Sequence, residues 1–135
     1  MENKCVIIVN QDLPIGLIAN SCAVLSLTLG KEVEGILGED ILDKSGLLHK
    51  GITRQVLPIL KTNLKNLTTL WKAAKAKEDV LVVDFSNVAQ RTKTYKDYAN
   101  QLAETNSEDL RYFGIAIYGS KKAVNSLSGS LPLLR

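Results

Sequence analysis

Histidine is nearly absent from this chain: the single one is His49. A Ser-His-Asp triad therefore has only His49 as a base, and no GxSxG elbow accompanies it. Cysteine is scarce too. Cys5 and Cys22 form no CxxC pair, and no Cys/His set offers four zinc ligands. They read as buried thiols, and no metal site is expected. Neither a GxxxxGK[ST] loop nor a GxGxxG turn is present, so nucleotide cofactors lack their sequence mark and none is expected. No apolar stretch reaches the roughly 20 residues that span a bilayer. The apolar run near the N-terminus is too short for a signal peptide. These readings lead to the expectation of a cytoplasmic protein with no membrane contact. Charge is nearly balanced, with 17 Lys+Arg against 14 Asp+Glu and a net +3. That is far from the basic footprint of a dedicated nucleic-acid binder, which argues against tRNA as a partner.

What the chain does have is alternation. CVIIV (Cys5–Val9) and VLVVDF (Val80–Phe85) are short apolar runs rich in β-branched residues, read as strands buried on both faces. TRQVLPILK (Thr53–Lys61) reads as a strand that Pro58 demotes to an edge. LRYFGIAIY (Leu110–Tyr118) is the last strand, with Gly114 marking the close approach of a bulky neighbour. Between them fall helical patterns at Leu17–Gly30, after Thr62 or Asn63, at Thr94–Ala103 and at Lys121–Leu127. Gly30 suits a left-handed helix stop. Lys31 to Gly51 reads as an excursion or small hairpin across the sheet, turning at Asp43, Lys44, Ser45 and Gly46. The apolar ending, SGSLPLLR, is expected to dock on the body. Such alternation implies an α/β domain over residues 1–135 with helices on both sheet faces.

The first helix is the unusual one. Ile15, Ile18, Ala19, Cys22, Leu25, Ser26 and Leu29 form its expected buried face. Leu17, Val24 and Leu27 make the other side apolar as well, and nothing from Pro14 to Gly30 is charged. Its second face needs cover from this chain or from a second subunit in a homo-oligomer. Asn20 and Ser21 are polar in that apolar surround. They either tie the helix to a loop or face a pocket.

Two carboxylates stand at strand ends, Asp12 and Asp84. Open α/β sheets bind ligands beyond the carboxyl ends of their strands. The favoured reading of Asp12 is a helix cap before Pro14, and the ordinary reading of Asp84 is a turn residue bonding its own loop through Ser86 and Asn87. The expected ligand-binding set is Asp12, Asn20, Ser21 and Arg54. No catalytic residue is assigned, Asp12 and His49 being the only weak candidates.

KCVIIVNQDLPIGLIANSCAVL (Lys4–Leu25) resembles the opening of peptidyl-tRNA hydrolase II. Lys4, Val6 to Val9, Asp12, Leu13, Gly16, Ala19 and Cys22 match its frame. The whole chain resembles, more closely, the uncharacterised family called domain of unknown function 2000. That likeness rests on DLPIGLIAN (Asp12–Asn20), HKGITR (His49–Arg54) and YFGIAIYGSKKAVNSLSGSLPLLR (Tyr112–Arg135). The hydrolase resemblance implies a three-layer α/β/α sandwich around a four-stranded mixed sheet of order 2-1-4-3. It also implies where activity is lost. Leu17 stands where the hydrolase keeps a functional lysine, and a leucine cannot supply electrostatic stabilisation. The expectation is a non-catalytic protein binding a small ligand or a partner, with hydrolysis of peptidyl-tRNA or a related ester as the alternative.

Overall fold

The computed structural model describes residues 2–135. Four strands form one sheet: β1 (Asn3–Asn10), β4 (Ile59–Thr62), β5 (Leu81–Ser86) and β6 (Tyr112–Ser120), in the order β4-β1-β6-β5. Counting these four alone in chain order, the sequence is 2-1-4-3. β1 pairs with β4 in parallel and with β6 antiparallel, and β5 pairs with β6 antiparallel. β1, β4 and β5 thus run the same way.

Each face of the sheet carries a core. Cys5, Ile7 and Val9 of β1 meet Ile18, Leu25 and Leu29 of α1 (Ile15–Glu32) on one side. Val6 and Ile8 meet Leu67 and Ala74 of α2 (Leu64–Lys75) and Val124 of α5 (Lys121–Ser128) on the other. The strict two-residue alternation of a strand makes this division. It also explains why CVIIV is apolar without a break. Gly114 is the close approach that the sequence suggested: an added Cβ would lie 3.2 Å from both the Ile8 carbonyl and the Leu25 methyl.

Several local expectations are corrected. Ile15 and Ala19 are not on the buried face: Ile15 is 85% exposed and Ala19 is exposed too, because the buried row of α1 runs Ile18, Ser21, Leu25, Leu29. The helix does not stop at Gly30. It continues to Glu32, and Val33 ends it in extended conformation with its N–H on the Leu29 carbonyl. Thr53–Pro58 is not strand; pairing begins at Ile59, after Pro58 has given its carbonyl to the Ile7 N–H. Asn63 caps α2, its side chain accepting from the Asn66 N–H, while Thr62 closes β4. A short helix α3 (Asn87–Arg91) precedes α4 (Tyr95–Ala103).

The excursion does not cross the sheet. Strands β2 (Ile41–Leu42) and β3 (Leu48–His49) pair only with each other, and every residue from Glu39 to Lys50 is exposed. The ribbon is built locally. Asp43 Oδ1 accepts from the Ser45 and Leu47 N–H groups, and Asp40 accepts from Lys50 and the Gly51 N–H. Gly46, at φ +84, supplies the left-handed residue of its turn.

The two sheet edges are treated differently. The C-terminal tail closes the β4 edge: Lys61 N–H donates to the Pro132 carbonyl and Leu134 N–H to the Ile59 carbonyl. Unpaired edges recruit other chains, so this tail shields one. Among the described residues, no strand lies beside the β5 edge.

Candidate functional site

The open edge of β5 floors a groove of about 670 Å³. Val24, Thr28 and Glu32 of α1 form one wall; Ala89, Thr92, Lys93, Tyr95 and Tyr98 of the α3–α4 segment form the other. The size falls in the range of small-molecule sites. Tyr95 is 82% exposed and meets Tyr98 edge-on, with ring centroids 5.6 Å apart.

Asp84 lines this groove. Leu81, Val83 and Phe85 alternate onto the α1 face, so Val82 and Asp84 turn toward α2. A carboxylate therefore occupies a position where the pattern would bury an apolar residue. Trp71 Nε1 donates to its Oδ2 at 3.1 Å. The Trp71 ring stacks on Tyr112 at 5.1 Å and 22°. Burial raises the pKa of Asp84, with the Trp71 hydrogen bond and the Lys75 charge pulling it back. Burial and the nearby Asp84 charge also raise Tyr112 and Tyr98, and Tyr95 adds to the shift of Tyr98. Among the described residues, Asp84 Oδ1 makes no hydrogen bond. What the arrangement offers is one carboxylate in an aromatic surround with acceptor capacity to spare.

The expected site residues lie elsewhere and do not come together. Asp12 is exposed just past β1; it does not cap α1, whose N-cap is Pro14 with no side-chain bond. Its N–H is held by Asn10 Oδ1. Asn20 is exposed, and Ser21 is buried with its hydroxyl donating to the Leu17 carbonyl at 2.7 Å. Arg54 stands at the opposite end of β1, lining a second cavity with Glu2, Asn3 and Lys4. Its guanidinium lies 3.5 Å from Glu39. His49 is bound to Asp43 at 2.8 Å on the exposed ribbon. There the pair serves the turn, and His49 and the backbone N–H groups hold the Asp43 pKa below the usual carboxylate range. Asp84 is not the turn residue that its position suggested: it sits within β5 and is fixed by Trp71. The available signal was the lone acidic residue in an otherwise apolar strand, together with a single tryptophan on the next helix toward the N-terminus.

Among the described residues, no group of three or more His, Cys, Asp or Glu is placed to hold a metal ion. No helix of the described residues is long and apolar enough to cross a membrane.

The family described as "Protein of unknown function (DUF2000)" matches residues 3–135. The chain belongs to that family. A solved structure of the protein of unknown function Atu0240 from Agrobacterium tumefaciens strain C58 has a similar fold. The TM-score is 0.90 at 16% identity, over 100% of this chain and 99% of that one. No curated protein matches. At that identity the likeness is one of fold, and the groove must be read from its own residues.

Proposed function

We propose that this chain is a non-catalytic binding protein whose β5 groove takes a small organic cation, an amine or guanidinium on an apolar body. The observation that carries this is Asp84: a largely buried carboxylate, held by one tryptophan N–H, in the edge strand that floors a groove walled by Tyr95 and Tyr98. A carboxylate among aromatic faces favours a soft cation by charge and by cation–π attraction. Tyr98, close enough to feel the Asp84 charge, and Tyr95 edge-on to it give the apolar body a place to lie. Lys75 is the internal competitor, since its charge already reaches Asp84. The likeness of Lys4–Leu25 to peptidyl-tRNA hydrolase II and the strand order support a fold of that type. The hydrolytic alternative has less behind it. Leu17 replaces the lysine, Asp12 is exposed, and His49 is engaged by Asp43 on the ribbon.

Calorimetric titration tests the reading with an amine and the alcohol of the same carbon body. The amine is expected to bind and the alcohol to bind more weakly. Asp84→Asn should weaken the amine by about tenfold to a hundredfold, the worth of one charge-assisted hydrogen bond. Equal affinity for amine and alcohol would sink the proposal.

A further inference from the structure

The ribbon and the outer face of α1 share one property: both present uncovered apolar side chains, the ribbon among charged ones. On the ribbon, Leu42 and Leu48 are a cross-strand pair on one face, and Ile41 opposes His49 on the other. All are exposed, and Ile52 nearer the base is 77% exposed. A two-stranded ribbon is marginal alone in water, and apolar side chains on both faces worsen the balance. On α1, Ile15, Ala19, Ala23 and Leu27 recur every fourth residue, so they form a single row. That row faces solvent, with Leu27 78% exposed, and carries no charge before Lys31. Its middle is two alanines, which allow close approach of another backbone.

The total surface gives the scale. The chain exposes 8842 Å². A compact monomer of 14.8 kDa exposes about 7,000 Å². The surplus, roughly 1,800 Å², exceeds the roughly 800 Å² per partner that a stable interface needs. That surplus belongs to the whole chain, and the ribbon, exposed at every residue from Glu39 to Lys50, contributes to it. The ribbon is also anchored for such a role. At its base, Ile36 is buried in the α1 core, and the Arg54 N–H donates to the Ile36 carbonyl. From Leu37 to Asp43 it can reach roughly 20 Å.

We infer that the chain forms a two-fold dimer in which each copy lays its ribbon across the Ile15–Leu27 row of the other. The exchange is reciprocal, so one kind of contact, made twice, closes the assembly. Leu27 takes part as the sequence suggested. Val24 does not, because it lines the groove, and Leu17 is half-buried.

Sedimentation of the full chain at micromolar concentration is the test. The expected mass is twice 14.8 kDa. Leu48→Glu on the ribbon and Ala23→Glu on α1 should each weaken the dimer by about tenfold or more, since each places an unpaired charge in an apolar contact. Both positions are exposed, so circular dichroism and thermal unfolding of the dilute variants should show an intact fold. Ala23→Lys combined with Leu48→Glu should recover part of the affinity. A wild-type monomer at roughly 100 µM, a concentration well above the Kd of ordinary dimers, overturns the inference. So does a dimer that either single glutamate leaves intact, or a monomer that instead binds lipid vesicles.

Discussion

Asp84 carries a burial cost that depends on pH. Burial raises its carboxyl pKa above the unfolded value, so the folded chain holds this proton more tightly than the unfolded chain. The resulting stability is full below the ordinary aspartate pKa and is lost as pH rises through the raised one. Asp84→Asn keeps an oxygen for Trp71 and removes the charge. Its Tm is expected to exceed that of the wild type near pH 7 and to match it near pH 3, where the carboxyl is neutral. Thermal unfolding at the two pH values checks this, and a lower Tm for the variant near neutrality contradicts it. Tyr112 gives a second residue-scale expectation. Among the described residues its hydroxyl is buried with no partner, which costs on the order of 1–3 kcal/mol. Tyr112→Phe keeps the stack on Trp71 and should leave stability equal or higher in denaturant melts. Cys5, pushed up to about 11 by burial, and Cys22, raised by the same cause, should both resist alkylation in the native protein and react on unfolding.

At the scale of elements, strand periodicity was the most readable feature and boundaries the least. CVIIV announces a strand because both its faces are buried; VLVVDF announces one too, but as an edge strand its Leu81 to Asp84 are only half-buried. α1 was harder: its sequence is apolar all round, so periodicity could not say which residues face the core. Ile15 looks like core and stands in water, as does Leu27 on the second face. Gly30 looks like a stop, but the helix runs through it because Lys31 and Glu32 can continue it and Val33 seals its end. The tail was legible from composition alone, since SLPLLR is too apolar for solvent. Its partner, the β4 edge, was not, because a backbone hydrogen bond leaves no mark in side chains. Removing Leu131–Arg135 should therefore lower Tm and raise light scattering on heating, as the edge opens to other chains. Ser120, whose side chain caps α5 on the Ala123 N–H, should cost about 1 kcal/mol as Ser120→Ala.

At the scale of the molecule, alternation of strands and helices carried the fold class, and edge-strand logic placed Pro58 beside an outer strand. The site was not legible in the same way. Its members lie far apart in sequence: Trp71 on α2, Asp84 on β5, Tyr98 on α4 and Val24 on α1. Nothing in their spacing announces them, and they converge only because the β5 edge stays open while the tail closes the other. The expected set of Asp12, Asn20, Ser21 and Arg54 followed strand-end logic, yet the structure places Arg54 at the far end of β1. Cation binding at Asp84 has its own pH signature. It needs the carboxylate, so affinity should fall on acidification, and at a higher pH than an unshifted aspartate would give.

The most direct measurement uses the chain's single tryptophan, Trp71, whose indole N–H rests on the Asp84 carboxylate. Its emission is followed while butylamine, agmatine, butanol or butyrate is titrated near neutral pH. The account predicts a saturable change with the two cations, none with butanol or butyrate, and loss of the response in Asp84→Asn. A flat response to the cations, or the same response to butanol, would contradict it.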